Sequence, residues 1–225
     1  MDIMKRHLLL IILLTASSLC LKAQNHEVAV GLRAGHNVSY GGFAAISVET
    51  YQKLHENIKI EGGLQYNSIG RTSLDARPAY INDFSWGHLT AELLFAYSNT
   101  HSINNFTAGA GVGLSGRWIS GKLGYYYRIY GSHGHKLTEP FNLYYELRAN
   151  LLPMIDKWDL NFLVTNCEIF ELERHYQPTF IAQSSYFPIQ DIGISLGIGC
   201  KPAGMFHLSA DYYQSFIKLG VCYRW

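Results

Sequence analysis

Apart from its N-terminus, the 225-residue sequence contains no apolar run long enough for a transmembrane helix, which needs roughly 20 apolar residues. No sustained hydrophobic period of 3.6 residues appears either, and this argues against a helical fold. Neither sign of charge is in excess, since 18 Lys and Arg stand against 17 Asp and Glu. A near-neutral chain lacks the basic surplus typical of nucleic-acid-binding proteins, so we expect no nucleic-acid partner.

Cysteine is also scarce, with four residues in the whole chain. Cys167, Cys200 and Cys222 form an odd set at wide spacing, whereas a disulfide scaffold is short and carries an even set. The fourth, Cys20, follows Leu19, although a lipid-attachment cysteine normally follows a small residue. We therefore interpret the three distal cysteines as isolated thiols on strands and leave lipidation of Cys20 as an alternative.

The N-terminus has the layout of a secretory signal peptide. A basic start precedes an apolar stretch that is too short to span a bilayer, and small residues and Ala23 follow it. We place cleavage after Ala23, which gives a signal peptide over 1–23 and a mature domain over 24–225. Leu21, three residues before this cut, is larger than is usual there, so neighbouring bonds stay open as alternatives.

The mature chain alternates apolar and polar residues with a period of two, in runs of about 8 to 14 residues between turn-rich segments. In the run 192–198, isoleucine and leucine alternate with glycine and serine. Charged residues fall on the polar face of such runs, and they are Arg33, Glu49, Lys59, Glu61, Glu92, Glu146, Arg148, Asp159, Asp211, Lys218 and Arg224. The pattern predicts an all-β fold in a single domain.

The last residues carry the alternation to the end of the sequence. Ile217, Leu219, Val221, Tyr223 and Trp225 share one face, and the final residue is aromatic. This stripe resembles the C-terminal signal of outer-membrane β-barrel proteins, which the barrel-assembly machinery recognises during insertion. Together with the signal peptide, the resemblance implies a small Gram-negative barrel in the cell outer membrane. Its apolar side chains would face lipid and lipopolysaccharide, and its polar side chains would face the lumen.

Turn signals set the expected number of strands. Tight turns are predicted at 55–57, 99–102, 153–156 and 201–204, and longer polar loops near 70–83, 131–140 and 172–187. In bacterial barrels short turns face the periplasm, longer loops face outward, and the strand number is even. The segment 103–130 fits either one bulged strand or two strands joined near 116–121. We expect a single antiparallel transmembrane barrel of about ten strands, with eight or twelve as alternatives.

One pattern in the late strands fits a catalytic site. His207, Ser209 and Asp211 share a strand face, as a base, a nucleophile and an orienting carboxylate do in activated-nucleophile sites. His207 and Ser209 also resemble the catalytic pair of the outer-membrane lipid A 3-O-deacylase family, although Ala210 stands where that family has asparagine. The resemblance implies a lipid hydrolase. The same residues equally fit polar side chains lining a lumen.

Two other patterns are weaker matches to known sites. His133 and His135 lie in a predicted loop and fit metal ligands, but a structural zinc site needs a fourth ligand that the sequence does not show. The segment 111–116 matches the glycine pattern of nucleotide-binding loops, yet such a loop opens a helix. The alternation here predicts a strand whose glycines thin its inner face. We therefore predict neither a metal nor a cofactor.

A barrel fold does not by itself choose a function. The first hypothesis is a non-enzymatic barrel with a structural or binding role played through its extracellular loops. A lipid hydrolase using His207 and Ser209 and a small diffusion pore are the alternatives. Charges of both signs on the lumen face fit a plug of ion pairs or the lining of a pore. The sequence does not indicate the oligomeric state.

Overall fold

Twelve antiparallel strands form a closed barrel. The computed structural model describes residues 26–38, 41–100, 103–132, 135–153, 155, 157–166, 178–202 and 214–225, so the predicted signal peptide lies outside it. The strands are β1 His26–Asn37, β2 Gly41–His55, β3 Ile58–Asn67, β4 Thr72–Phe84, β5 Gly87–Thr100, β6 Ile103–Ser115, β7 Ile119–Ser132, β8 His135–Asn150, β9 Trp158–Thr165, β10 Thr179–Ile189, β11 Ile192–Lys201 and β12 Gln214–Arg224. Pairing of β1 with β12 closes the barrel, and closure is what a β-structure in hydrocarbon requires.

The strand number corrects the expectation of about ten strands. The segment 103–130 forms two strands, β6 and β7, rather than one bulged strand. The predicted loop 70–83 contains most of β4, and the predicted loop 172–187 contains most of β10. The third predicted loop, 131–140, is mostly the end of β7 and the start of β8. Twelve is nevertheless even, as predicted, and it is one of the two alternatives to ten that the sequence leaves open.

Both ends of the described chain meet at one end of the barrel, which we call the terminal rim. The amide of His26 donates to the carbonyl of Trp225 at 2.9 Å, and the amide of Trp225 donates back at 3.1 Å. Connections at the terminal rim span 56–57, 85–86, 116–118, 151–157 and 190–191, and those at the opposite rim span 38–40, 68–71, 101–102, 133–134, 166–178 and 202–213. The longest connections lie at the opposite rim, as in bacterial barrels with periplasmic termini.

Two predicted assignments of turns to rims are wrong. The tight turns predicted at 99–102 and 201–204 are expected on the same rim as the turn at 55–57. The first joins β5 to β6 and the second falls in the connection of β11 to β12, and both connections lie at the opposite rim. The physical reason is that several connections at the opposite rim are as short as those at the terminal rim. Length alone therefore does not sort the turns of this chain between the two rims.

Neighbouring residues along the strands differ sharply in exposure. Leu93 is 49% exposed on the outer surface, whereas the next residue, Leu94, is 1% exposed and points inward. Arg77, Glu92 and Arg128 are among the polar side chains buried on the inner face. Apolar side chains outside and polar ones inside are the arrangement of a transmembrane barrel and the reverse of a soluble one. Among the described residues, no helix has the length and hydropathy of a membrane span.

All four tryptophans of the chain lie at the terminal rim. Trp86 and Trp118 lie in connections, Trp158 begins β9, and Trp225 directly follows β12. The Trp158 ring packs against Tyr186 with 4.7 Å between ring centroids. Amphipathic aromatic rings collect at the two membrane interfaces of barrels. The apolar band is bounded on its other side by outward-facing tyrosines, among them Tyr66, Tyr97 and Tyr127.

Candidate functional site: the barrel lumen

The lumen contains a cavity of about 390 Å³, near the lower end of the range for ligand pockets. Its lining comes from β1–β3 and β8–β12, so the cavity follows one wall of the barrel. We call the wall formed by β1–β3 and β8–β12 the cavity wall. Acidic and basic side chains contribute equally to it, with Glu27, Glu49, Glu146 and Asp159 against Arg33, Arg148, Lys218 and Arg224.

One ion pair on the cavity wall reaches across a whole strand. Lys218 on β12 donates to Glu49 on β2 at 2.7 Å, with β1 between them. Gly31 on β1 leaves room for this crossing, because a Cβ there would lie 3.3 Å from Lys218 Cε and 2.8 Å from Ser47 Oγ. The Ser47 hydroxyl also donates to Glu49 at 3.5 Å. The pair therefore forms a hydrogen-bonded bridge over a glycine.

Two further ion pairs compensate charge in the cavity. Arg224 donates to Glu27 at 2.7 Å near the terminal rim, and Arg148 donates to Glu146 at 3.3 Å. The Arg224 guanidinium also lies 4.1 Å from the ring centroid of Phe187. Both pairs line the lumen, where the opposite charges compensate each other. The cavity consequently presents little uncompensated charge to a solute.

Towards the opposite rim, the cavity is bounded by apolar side chains. Phe43, Ile181 and Phe216 form a buried cluster, and Leu163 packs against it. The Arg33 guanidinium lies 3.6 Å from the ring centroid of Phe216, within the range of a cation–π contact. This stacking fixes a basic group at the border between the apolar cluster and the polar cavity.

The wall formed by β3–β8 is filled by a charged network. Lys122 lies 3.0 Å from Glu92 and 3.8 Å from Glu61, and Lys59 donates to Glu61 at 2.8 Å. The Tyr144 hydroxyl donates to the other oxygen of Glu92 at 3.0 Å. The predicted plug of ion pairs thus fills this wall of the lumen. The alternative, the lining of a pore, stays a prediction for the cavity wall.

The glycines of the segment 111–116 belong to β6 and its connection to β7, so the strand interpretation is confirmed. Gly111 lies beneath Tyr144, and a Cβ at Gly111 would collide with the tyrosine ring and hydroxyl. Gly124, its partner on β7, also contacts this ring. The two glycines therefore thin the wall where a large side chain lies flat against it.

The predicted catalytic residues His207, Ser209 and Asp211 fall between β11 and β12, outside the described residues. The hydrolase hypothesis thus stays a prediction. His133 is likewise outside the described residues, and His135 begins β8. Within the part of the chain that the structure describes, no group of three or more His, Cys, Asp or Glu side chains is placed to hold a metal ion.

The proposed assembly stripe lies on the outer face of β12. Ile217, Leu219, Val221 and Tyr223 are all exposed there, alternating with lumen-facing residues. The Trp225 ring lies 5.5 Å from the rings of both His26 and Tyr223, measured between centroids. The geometry places these residues where lipid is expected, and their recognition by assembly machinery stays a prediction.

Several lumen charges were missed in the sequence. Arg77 lies 3.3 Å from Asp75, and Arg128 donates to the Tyr130 hydroxyl at 2.7 Å. The sequence does not assign Asp75 and Arg77 to the lumen, because it predicts a loop where β4 lies. It does not assign Lys122 and Arg128 either, because it leaves the register of 103–130 open. The available signal was the alternation of Asp75 and Arg77 with apolar neighbours.

No protein-family model matches the chain, and no curated protein matches it. Its structure is nevertheless similar to many solved barrels. The translocator domain of the autotransporter NalP from Neisseria meningitidis has a TM-score of 0.56 at 14% identity, over 100% of this chain and 95% of that one. An outer-membrane channel from Pseudomonas putida F1 has a TM-score of 0.56 at 9% identity, over 92% and 97%. The KdgM porin in complex with disordered oligogalacturonate has a TM-score of 0.51 at 12% identity, over 87% and 98%.

These similarities define the fold of the chain. At identities of 14% or less, they do not extend to activity or ligand. The three proteins themselves carry different descriptions, a translocator domain, a channel and a porin, on one architecture. The chain thus has the closed antiparallel fold of outer-membrane β-barrel proteins, as its sequence predicts.

Proposed function

We propose that the chain is an outer-membrane channel that passes small polar solutes along the cavity wall of its lumen. The observation that carries this proposal is the polar cavity of about 390 Å³ beside the plugged β3–β8 wall. A purely structural barrel has no need for a polar cavity and can fill its lumen with paired charges on every side. The space left on the cavity wall is what a solute path requires.

The balance of charge on the cavity wall supports a path with little preference for cations or anions. Its four acidic and four basic side chains include three close ion pairs. A lumen that selected one sign of ion would instead carry a ring of like charges. The similarity to a porin and to an outer-membrane channel also supports a channel.

The outer membrane is the proposed location, with the terminal rim in the periplasm. The apolar outer face, the tryptophans at one rim and the longer connections at the other support this orientation. Cell fractionation followed by gel mobility with and without boiling tests the location. A band in the outer-membrane fraction that migrates differently after boiling is expected. A periplasmic protein without a mobility shift contradicts a membrane barrel.

Planar-bilayer recordings with two matched variants test the channel. Gly197 lies between Gln183 and Lys218, which both line the cavity, and a Cβ at Gly197 meets no atom nearer than 3.6 Å. Gly197→Trp therefore places an indole in the path and is expected to lower single-channel conductance. Leu196→Trp adds the same ring on the outer face, where Leu196 is 53% exposed, and is expected to conduct like the wild type.

The absence of single-channel currents from folded wild-type protein overturns the channel. Equal conductance of the two tryptophan variants places the path elsewhere and overturns the cavity wall as its route. In either case the role through extracellular loops becomes the leading hypothesis. Loss of lipid deacylation in Ser209→Ala would instead identify the chain as a hydrolase.

A further inference from the structure

An uncharged row of side chains crosses the cavity wall. Strand register places Ser185, Ser195, Gly220, Gly31, Ser47 and Gln65 side by side on β10, β11, β12, β1, β2 and β3. All six residues line the cavity. We call this set the polar row. It is a continuous band of hydroxyl and amide groups with two glycines at its centre.

The two middle residues of the polar row, Gly31 and Gly220, are direct cross-strand partners without side chains. The neighbouring hydroxyls turn into the space that this leaves, since a Cβ at Gly220 would lie 2.6 Å from Ser195 Oγ and a Cβ at Gly31 would lie 2.8 Å from Ser47 Oγ. Ser185 and Ser47 are themselves largely buried in the wall. A ligand at the centre of the row therefore meets serine hydroxyls.

The charges next to the polar row are already paired. Lys218 and Glu49 bridge over Gly31 at 2.7 Å, so an ionic ligand gains a charge partner only by opening this pair. The Ser47 hydroxyl already donates to Glu49 at 3.5 Å, whereas the hydroxyls of Ser185 and Ser195 and the Gln65 amide offer both donors and acceptors without opening an ion pair. Neighbouring strands lie about 4.8 Å apart, which is comparable to the distance between alternate hydroxyls of a sugar ring.

We propose that the polar row binds an uncharged polyhydroxylated solute, a small saccharide, as it passes through the lumen. This inference rests on the proposed channel and adds its substrate class. Hydroxyl-rich rings satisfy the mixed donors and acceptors of the row, whose serine hydroxyls lie over Gly31 and Gly220. A cavity of about 390 Å³ limits the ligand to a small saccharide.

Isothermal titration of the full-length folded barrel in detergent with sucrose tests the proposal. Saturable binding is expected for the wild type, and lysine and glutamate at the same concentrations are expected to give none. The double change Ser185→Ala and Ser195→Ala removes two hydroxyls and is expected to weaken sucrose binding about tenfold. Ser184→Ala is the control, because Ser184 alternates with Ser185 and lies on the outer face.

Absence of saturable sucrose binding to the wild type overturns the inference. So does equal binding by the double variant, or tighter binding of lysine or glutamate than of sucrose. Conductance in potassium chloride without sugar separates this inference from the channel itself. Currents without sucrose binding overturn only the proposal that the ligand is a saccharide. Sucrose binding without currents supports binding at the polar row and overturns the proposed channel function.

Discussion

At the scale of single residues, the lumen depends on glycines that lie beneath large side chains. Gly111→Ala introduces a Cβ where the ring and hydroxyl of Tyr144 lie. The tyrosine must move and lose its 3.0 Å hydrogen bond to Glu92. We expect the free energy of unfolding to fall by about 1–3 kcal/mol, measured by urea unfolding of the barrel in lipid vesicles.

Gly121→Ala is the matched control for Gly111→Ala. A Cβ at Gly121 meets no atom nearer than 3.7 Å, which is an ordinary van der Waals contact. We expect its free energy of unfolding to stay within about 0.5 kcal/mol of the wild type. A similar loss for both alanine variants would contradict the steric argument at Gly111 and point to a general cost of replacing glycine in these strands.

Lys122 holds the network of the β3–β8 wall together, because it serves both Glu92 and Glu61. Lys122→Met keeps the length of the side chain but leaves the Glu92 carboxylate, which is 2% exposed, without this counter-charge. We expect a loss of about 2–3 kcal/mol in the free energy of unfolding, because removing one partner of a buried ion pair leaves the other charge uncompensated. Lys136→Met, at an exposed position of β8, is expected to have little effect. Equal unfolding midpoints for the two variants would contradict a stabilising role of Lys122 as the counter-charge of Glu92.

At the scale of elements, β12 closes the barrel against β1 and ends on an aromatic cluster. The Trp225 ring contacts both His26 and Tyr223 at this closure. We expect Trp225→Ala to reduce the heat-modifiable protein in the outer-membrane fraction, because the closing strand loses both its ring contacts and its terminal aromatic residue. Trp118→Ala removes another terminal-rim tryptophan away from the closure and is expected to assemble normally. An equal deficit in both variants would assign the effect to the interfacial ring of aromatics and not to the end of β12.

The strands that the sequence identifies are those with a plain apolar stripe, such as Ile192–Lys201. The sequence does not identify β4 as a strand, because Asp75, Arg77 and Pro78 stand among its apolar residues. Such a composition is typical of loops. In a barrel the two charges face the lumen, where they pair with each other at 3.3 Å. Pro78 fits because the pairing of β4 with β5 is interrupted between Ala76 and Ala79, where its missing amide costs no ladder bond.

Strand faces follow from a period of two, but strand register does not. The sequence therefore predicts that Glu49 and Lys218 both face the lumen, and the structure confirms this. It gives no sign that they meet across β1, because that contact depends on closure between the two ends of the chain. The polar row was missed for the same reason, since its six members come from six strands and only register aligns them.

At the scale of the whole molecule, the two walls of the lumen have different roles. The β3–β8 wall ties its strands together through Lys122 and Tyr144, and this stiffens the side of the barrel opposite the cavity wall. On the cavity wall, the bridge from Lys218 to Glu49 passes over a glycine, Gly31, and Gly197 and Gly220 add no side chain to the lumen. An asymmetric lumen of this kind allows one wall to provide stability while the other provides a path.

The ion selectivity of the whole channel then depends in part on the bridge between Lys218 and Glu49. With Lys218 and Glu49 paired at 2.7 Å, the cavity wall is balanced, and we expect a reversal potential near zero under a potassium chloride gradient. Glu49→Gln leaves the lysine uncompensated and is expected to favour chloride, whereas Lys218→Gln leaves the carboxylate and is expected to favour potassium. Charged groups lining a narrow lumen set selectivity in this way. The double variant restores balance and is expected to return the reversal potential towards zero, a result that a merely structural effect of either change would not produce. Unchanged reversal potentials in both single variants would mean that ions do not pass the bridge, and the path would then have to run outside the cavity wall.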